Sequence, residues 1–327
     1  MNNKQVAQKV VDRILSVIGE GKPLPWVKPW GRKPNTVTIV DGYKTVTVYP
    51  SAWNRRGVPY KGANMYLPSG EYITFKQCHE EGGKVKKGAT GWPVVYWNFC
   101  KKKVEDEETH EEKEITIPIL KYYTVFSVND CEGIKQKHFP KPETVQVPIT
   151  HVEVVGPTAE DASTNATAEA VIADYVSRAG NGFKVLREVS DSAYYSPGLD
   201  YVSVPDRPLF SAESEFYSTL FHELGHSTGH ETRLNRFKGE ARNAAFGSEA
   251  YSREELVAES TAATILNALG MEEANTFRNS AAYIKSWASH IKEDPLMYVT
   301  ATTRAQAAVD LILGINGDSE AEAESEE

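Results

Sequence analysis

The chain has 327 residues, of which 40% are hydrophobic, 10% aromatic and 25% charged, and its formal net charge is −9 at pH 7. This composition is typical of a globular protein and argues against a collagen-like chain, a wholly disordered chain or a disulfide scaffold. The length favours about two domains over one. No apolar run reaches the roughly 18 residues that a membrane helix needs.

The N-terminal segment 1–22 has the pattern of an amphipathic helix. Apolar residues recur at helical spacing, and the charges between them do not fit a secretory signal. These apolar residues are Val6, Val10, Ile14, Leu15 and Ile18.

The cysteines bear on the cellular compartment. Cys78, Cys100 and Cys131 are odd in number and widely spaced, which excludes a cysteine-based metal cluster. Free thiols indicate a reducing compartment, so we expect a cytoplasmic protein.

The net charge is divided unevenly along the chain. Residues 1–150 hold 23 basic and 16 acidic side chains, a net +7, whereas residues 151–327 hold 13 and 29, a net −16. A basic half followed by an acidic half predicts two different partners, one of them a polyanion.

Residues 26–130 interleave aromatic side chains with lysines and arginines. The apolar, aromatic-rich runs 92–99 and 115–128 predict strands, and the acidic segment 104–114 between them predicts a solvated hairpin excursion. Basic grooves that contact phosphates and aromatic faces that stack on bases are features of proteins that bind single-stranded nucleic acid. Any one tryptophan or tyrosine could equally fill the core, but the basic loop 84–88 is harder to explain in that way.

Prolines and then a Ser/Thr/Ala stretch mark residues 139–165 as the boundary between two units. We therefore predict an N-terminal domain over 1–140, a linker over 141–165 and a C-terminal domain over 166–316. An acidic tail without apolar residues, 317–327, is expected to be disordered.

The strongest local signal is the HExxH motif from His222 to His226. Ser211 can cap a helix whose first turn is acidic and whose apolar residues repeat every four positions. Histidines one turn apart point to one side of that helix, where neutral imidazoles can hold Zn²⁺, and Glu223 beside them can serve as general base. The simpler interpretation is a pair of histidines that hydrogen-bond in the core.

A catalytic zinc ion needs a third protein ligand from elsewhere in the chain. The extended motif with a third histidine would place it at position 232, which is Thr232. His230 is a weak candidate, because Gly229 indicates that the helix has already ended.

A second helix, which ends at Gly270, supplies better candidates. Glu255 and Glu259 lie one turn apart, so one can bind the metal while the other accepts a hydrogen bond from a ligand histidine. Ser252 and Glu255 also fit a helix-capping box, which leaves Glu254 as the second candidate ligand.

Other elements complete this half of the chain. A helix is predicted over 168–179, a strand–turn–strand over 194–204 and a last helical region over 279–291 and 303–313. An exposed strand beside the metal can hold an extended peptide by strand addition. Tyr194 or Tyr195 is a candidate to stabilise an oxyanion.

Several segments, in this order, resemble the ArdC-type antirestriction proteins that plasmids and phages carry. Similar to the N-terminal domain of that family are NRRGVPYKGANMYL, ITFKQCHEEGGKVKKGATGWPVVYW and PILKYYTVFSVNDCEG. Similar to its zincin-like metallopeptidase domain are SAESEFYSTLFHELGHSTGHETRLNR, SREELVAE and AAYIKSWASHIKED. The resemblance covers roughly residues 4–313. It implies a single-stranded DNA-binding domain joined to a metalloprotease-like domain, and a role in protecting incoming DNA from host restriction.

The resemblance also implies roles for particular residues. It puts His222, His226 and a glutamate of the EELVAE segment on the metal, with Glu223 as catalytic base. On the DNA side it directs attention to the turn 60–64 and the loop 83–88. The acidic 104–114 insert and the Glu-rich tail depart from the family pattern.

The sequence thus predicts an α+β protein of two domains: an N-terminal basic, aromatic-rich α+β domain that binds DNA and a C-terminal zincin-like, mostly helical metallopeptidase domain with one Zn²⁺ per chain. The expected partners are single-stranded DNA and a protein or peptide substrate, such as a host restriction component, and no membrane. The residues expected to contact DNA are Arg55, Arg56, Tyr60, Lys61, Asn64, Lys76, Lys84, Lys86, Lys87 and Trp92.

Two other classes of protein stay open. In one, the metal site is structural or vestigial, and protection comes from coating the DNA. The other is a metal-dependent nuclease, which is less favoured because such enzymes gather carboxylates around Mg²⁺ and do not rely on a helical histidine pair.

Overall fold

The structure is a computed structural model that describes residues 1–19, 36–40, 43–48, 52–105, 112–137, 143–148, 162–180, 182–188, 192–210, 212–237, 249–271 and 291–315. Helices and sheets are both present, in the α+β arrangement that the sequence predicts. Within these residues no helix is long and apolar enough to cross a membrane.

The first helix, α1 (Asn3–Gly19), coincides with the predicted amphipathic helix. Its apolar face is buried, with Val6, Val10 and Ile14 no more than 3% exposed. At its start, the Asn3 side chain accepts a hydrogen bond from the backbone of Leu120 at 2.9 Å. This contact fixes the beginning of α1 against the central sheet.

The central sheet has the strand order β3-β4-β7-β6. Its strands are β3 (Ala52–Asn54), β4 (Gly70–Thr74), β6 (Trp92–Glu105) and β7 (Glu112–Ser127). The two predicted strands form the antiparallel hairpin β6–β7, in which β6 continues past its predicted end at 99 and β7 begins before its predicted start at 115. Both ends of the acidic 104–114 segment therefore lie in strands, and the ion pairs Lys101–Glu114 and Lys103–Glu112, each at 2.9 Å, join β6 to β7.

The N-terminal half contains smaller elements as well. A second sheet has the order β1-β2-β9, and a two-stranded pair joins β5 to β8. These elements are β1 (Thr36–Val40), β2 (Tyr43–Val48), α2 (Phe75–Glu80), β5 (Lys84–Val85), β8 (Cys131–Glu132) and β9 (Glu143–Pro148). Strand β9 lies in the segment predicted as linker, but it pairs antiparallel with β2.

Within the described residues, the C-terminal half contains a small three-stranded sheet and several helices. Strand β12 lies between β10, which is parallel to it, and β11, which is antiparallel. The elements are α3 (Ala162–Ala179), β10 (Lys184–Glu188), β11 (Tyr194–Ser196), β12 (Tyr201–Pro205), α4 (Glu213–Ser227), α5 (Glu249–Leu269) and α6 (Pro295–Leu313).

The helix ends in this half follow local chemistry. Gly180 and Gly270 have φ angles of 65° and 72°, and they follow the last residues of α3 and α5 where the sequence predicts stops. Helix α6 begins at Pro295 rather than at 303, because proline is well tolerated in the first turn of a helix. The Ser211 cap, most of the predicted helix 279–291 and the acidic tail lie outside the described residues.

Helices α5 and α6 contribute to the cores of both halves of the chain. Leu256 of α5 and Tyr298 of α6 belong to a buried cluster with α1 and the central sheet. Leu266 of α5 and Ile312 of α6 belong to a second cluster with α3, α4 and the small sheet. The two halves therefore share buried side chains in addition to their connection through the chain.

Arg55, at the end of β3, lies in a buried ion-pair network. Its guanidinium contacts Glu71 at 2.7 Å and Glu81 at 2.6 Å, and its side chain is 7% exposed. The hydrogen bond from Arg55 holds the pKa of Glu81 down at about 2. Arg55 thus stabilises the N-terminal half from within.

We expect Arg55→Gln to lower the free energy of unfolding by about 3–5 kcal/mol, because it leaves the buried Glu71 carboxylate without its cation. The neighbouring Arg56 is exposed, so Arg56→Gln is the matched control and should change stability by no more than about 0.5 kcal/mol. Chemical denaturation measures both values. Equal values for the two variants would contradict this account.

Candidate metal centre

Helix α4 carries the HExxH motif and is oriented by its apolar stripe. Phe216, Leu220 and Leu224 are completely buried in the C-terminal core. This packing leaves His222 and His226 on the side of α4 that faces α5.

Helices α4 and α5 approach closely at Gly225. A Cβ atom at this position would lie 3.1 Å from the Cα of Ala258 and 3.3 Å from the Cβ of Thr261. Glycine therefore lets the helices come together at the turn that bears the histidines. As a result, the glutamates of α5 reach the imidazole rings.

Three side chains converge between the two helices. The Nε2 atoms of His222 and His226 lie 3.2 Å apart. The Glu255 carboxylate lies 3.5 Å from the Nε2 atom of His222 and 3.3 Å from that of His226. One donor atom from each residue fits within a cluster 4.8 Å across. Two imidazole nitrogens and one carboxylate oxygen form a donor set that suits a divalent metal ion such as zinc.

Two further carboxylates face the other ring nitrogens. Glu259 lies 3.3 Å from Nδ1 of His222, and Glu254 lies 3.6 Å from Nδ1 of His226. Carboxylates at Nδ1 hold the ring orientation in which Nε2 is directed at a metal. The structure therefore places Glu255, and not Glu254, on the Nε2 side of both rings.

The nearby carboxylates change the pKa values of His222 and His226. Burial disfavours the protonated imidazole of His222, but the hydrogen bonds with Glu255 and Glu259 outweigh burial and raise its pKa to about 10. The pKa of His226 is raised in the same way, since Glu254 and Glu255 offset its burial. For Glu255, burial opposes ionisation, but the two imidazoles hold its pKa well below the ordinary range.

Glu223, the predicted general base, lies on the same helix between the two histidines. Glu223 is 8% exposed, so its carboxylate lies in a largely buried environment. Its negative charge contributes to the raised pKa of both imidazoles. Its position next to His222 on α4 and its burial are compatible with a general base beside this cluster.

The two tyrosines considered for an oxyanion differ in their surroundings. Tyr195 is buried, and its hydroxyl donates to Asp200 at 2.8 Å and accepts from Arg233 at 3.3 Å. Tyr194, on the outer strand β11, is 41% exposed and shares a hydrogen bond with Tyr201 at 2.9 Å. Only Tyr194 of these two presents an accessible hydroxyl.

His230 lies beyond the end of α4, as the sequence predicts. Its Nδ1 atom contacts the Thr232 hydroxyl at 2.9 Å and lies 3.8 Å from Asp200. It belongs to this turn and is not among the three residues of the metal cluster.

Several residues predicted to contact DNA have structural contacts instead. Arg55 is held by Glu71 and Glu81, and Trp92 is 8% exposed beneath the guanidinium of Arg13. The prediction that Arg55 and Trp92 contact DNA is therefore wrong, because neither side chain can reach a nucleotide without leaving the core.

The turn 60–64 faces helix α6 and the sheet. Lys61 lies 3.9 Å from Asp310, and the Asn64 side chain pairs with the backbone of Val95 through two hydrogen bonds of 2.8 Å. Tyr60 packs edge-on against Tyr72, with ring centroids 6.1 Å apart. Asn64 and Tyr60 therefore fix the turn within the N-terminal half, while Lys61 contacts helix α6 of the other half.

The remaining predicted DNA contacts are exposed. Arg56, Lys76, Lys84, Lys86 and Lys87 all lie at the surface of the N-terminal half. The Lys86 ammonium donates to the backbone of Asn129 at 2.9 Å, which anchors the basic loop next to β8.

Sequence reasoning missed one residue next to the metal centre. Arg236 follows α4 by nine positions and forms two hydrogen bonds with Glu254, at 2.6 and 3.2 Å. The exposed pair Tyr96 and Tyr123 on the hairpin, with ring centroids 6.0 Å apart, belongs to the aromatic residues that the sequence interleaves with cations over 26–130, but neither is among the residues expected to contact DNA. A lone arginine in a loop gives no spacing signal, and exposure of a strand residue depends on which helices cover the sheet.

Two family descriptions match the chain. Residues 4–126 match the N-terminal domain of the anti-restriction factor ArdC, and residues 173–304 match a zincin-like metallopeptidase.

Among curated proteins, the chain is 28% identical over 329 residues to a DNA primase TraC of Escherichia coli. This alignment covers 95% of the chain but 27% of the primase, and a second E. coli TraC, 27% identical, is covered over 19% of its length. The chain therefore spans about a quarter or less of these primases. Protein y4eC of Sinorhizobium fredii is 27% identical over 330 residues, which cover 96% of this chain and 94% of that protein.

Two solved structures are similar over nearly the whole chain. They are crystal structures of the antirestriction protein ArdC from plasmid R388, one metal-free and one bound to Mn(II). Each has a TM-score of 0.58, sequence identity of 29% and 28% respectively, and coverage of 94% of this chain and 96% of that one. Both domains are matched in the same order, so the chain is similar over nearly its whole length to these ArdC proteins and combines an ArdC-type N-terminal domain with a zincin-like metallopeptidase domain.

Proposed function

We propose that this protein binds single-stranded DNA through its N-terminal half, carries a zinc-dependent peptidase site in its C-terminal half, and so protects incoming mobile-element DNA in the cytoplasm of a bacterial host. The observation that carries the peptidase proposal is the convergence of two Nε2 atoms and the Glu255 carboxylate beside the buried Glu223.

His222, His226 and Glu255 would hold the metal. A divalent cation with an open coordination position polarises a peptide carbonyl and acidifies water. Two imidazoles and a carboxylate favour zinc among the common cations. The Mn(II)-bound structure of R388 ArdC supports a divalent cation in proteins of this family.

The chain's own residues supply the remaining steps. Glu223 takes a proton from the attacking water and returns it to the leaving amine. Glu259 keeps the His222 ring in its ligand orientation. Strand β11 lies at an edge of its sheet and can align an extended peptide, and the exposed Tyr194 is the candidate to stabilise the oxyanion.

The DNA-binding proposal rests on charge and exposure in the N-terminal half. The exposed lysines 76, 84, 86 and 87 can contact phosphates, and Tyr96 and Tyr123 expose ring faces that can stack on bases. The shape of the basic loop depends on Gly88, whose φ of 85° few other residues adopt.

His226→Ala should abolish stoichiometric metal binding, since it removes one of three ligands. We expect the zinc content of the purified protein, measured by elemental analysis, to fall from one ion per chain to near zero. His230→Ala is the control, because His230 lies outside the cluster. Equal metal contents in the two variants would exclude this site.

Glu223→Gln should retain the metal and DNA binding but lower the rate of peptide hydrolysis by a factor of about 10²–10⁴, since an amide cannot accept the proton. Antirestriction assays in cells then separate two functions. Loss of protection would support proteolysis, and unchanged protection would support a DNA-coating protein whose metal site is not catalytic.

Replacing Lys84, Lys86 and Lys87 together by Gln should weaken binding to single-stranded oligonucleotides and make it less dependent on salt. The slope of log K against log salt should decrease in magnitude by about 2, as expected for three lost phosphate contacts. Lys184→Gln, on β10 of the other half, should leave the slope unchanged. Fluorescence titrations at several salt concentrations measure these slopes, and equal wild-type affinity for duplex and single strand would count against the proposal.

A further inference from the structure

The segment after α4 folds back against the end of that helix. The backbone N–H of Leu234 donates to Thr228 at 2.9 Å, and that of Arg236 donates to Gly229 at 2.9 Å. A Cβ atom at Gly229 would lie 2.7 Å from the Phe237 ring and 3.1 Å from the His226 carbonyl oxygen, so glycine suits this close return. This fold places the Arg236 side chain between α4 and α5.

Arg236 links three parts of the centre. Its Nη1 donates to the Thr228 hydroxyl at 2.7 Å, and its Nη2 donates to the Gly225 carbonyl at 2.8 Å. The Nε and Nη2 groups also donate to both oxygens of Glu254. With 5% of its side chain exposed, Arg236 is almost completely buried.

Glu254 and Glu255 are adjacent carboxylates that compete for the same role. Glu254 has both oxygens engaged by the guanidinium and faces Nδ1 of His226, whereas Glu255 faces the Nε2 atoms of both rings. A carboxylate in a bidentate arginine pair has its charge and lone pairs already occupied, so it is a poorer metal ligand. The pairing therefore distinguishes two residues that the sequence alone cannot separate.

We propose that Arg236 is a positioning residue of the metal centre: by holding Glu254 against the Nδ1 side of His226, it makes Glu255 the ligand and directs the His226 ring at the metal. This inference rests on the proposed metal site.

Arg236 acts on charge as well as on position. Four carboxylates, those of Glu223, Glu254, Glu255 and Glu259, surround the two imidazoles. The buried guanidinium compensates one of them, and an arginine is always charged. Without it, the Glu254 carboxylate would be free to turn toward the metal side, and two adjacent carboxylates could share one ion in a distorted geometry.

The test is the metal affinity of purified Arg236→Gln, measured by competition between the protein and a chelator for Zn²⁺ and for Co²⁺. We expect affinity to fall by about 10- to 100-fold, as for other residues that support a metal ligand. The absorption spectrum of the Co²⁺-loaded protein should also change, because the arrangement of its ligands changes. Arg236→Lys keeps the charge without the planar pair and should give an intermediate affinity.

Arg253→Gln is the matched control. Arg253 precedes Glu254 on α5, and its guanidinium contacts Asp294 at 3.2 Å, away from the histidines. Arg253→Gln also removes one positive charge, from the helix that carries Glu254, but it leaves the Arg236–Glu254 pair intact. We therefore expect wild-type metal affinity and an unchanged Co²⁺ spectrum. Reduced affinity in both arginine variants would indicate a general charge effect and overturn the proposal.

Glu254→Gln tests the path of the effect, and its own metal affinity can be measured even if Arg236→Gln does not fold. It should also weaken metal binding, and the double variant should bind no more weakly than Arg236→Gln alone, because both changes break one interaction. Additive losses, or wild-type affinity in either single variant, would overturn the inference. If the wild type binds metal and Arg236→Gln binds it with the same affinity, only this inference is rejected. If the wild type itself binds no metal, the proposed function is rejected as well.

Discussion

The close approach of α4 and α5 sets the geometry on which the metal centre depends. At Gly225 the two helices are so close that a Cβ atom would lie 3.1 Å from the Cα of Ala258, which is tighter than an ordinary van der Waals contact. Ligand distances in metal sites are set to within about 0.2 Å. A side chain at position 225 would displace α5 by an amount comparable to that tolerance, and every glutamate of α5 would move with it.

The N-terminal half also positions α5. Leu256 and Val257, the two residues after Glu255, are buried with α1 and the central sheet, whereas Ala262 and Leu266 are buried with α4. Packing against both cores therefore fixes the rotation of α5 about its own axis. Helix α6 has the same double contact, since Gly62 of the N-terminal half donates to Gln306 at 3.3 Å. Because they share these buried side chains, the two halves are better described as one packed body than as independent units on a linker.

The elements predicted from the sequence were those with a periodic or capped pattern. The apolar spacing of α1, the glycine after α5 and the HExxH motif each depend on residues close together in the chain. They can therefore be recognised in the amino-acid sequence. Contacts between distant segments leave no such pattern. Arg55 and Trp92 carry the residue types expected of a DNA surface, yet Glu71 and Arg13 engage them inside the protein. Basic and aromatic residues therefore indicate a DNA-binding surface only when it is known which of them are exposed.

The choice between Glu254 and Glu255 shows the same limit at the site itself. Helical spacing favours Glu255, because it lies one turn before Glu259, but spacing does not explain why its neighbour stays away from the Nε2 atoms. The explanation lies in Arg236, which is 18 residues earlier in the chain and is brought back by the turn after α4. A motif thus identifies the residues capable of binding a metal, while a buried ion pair from a separate segment decides which of two equivalent carboxylates is left to do so.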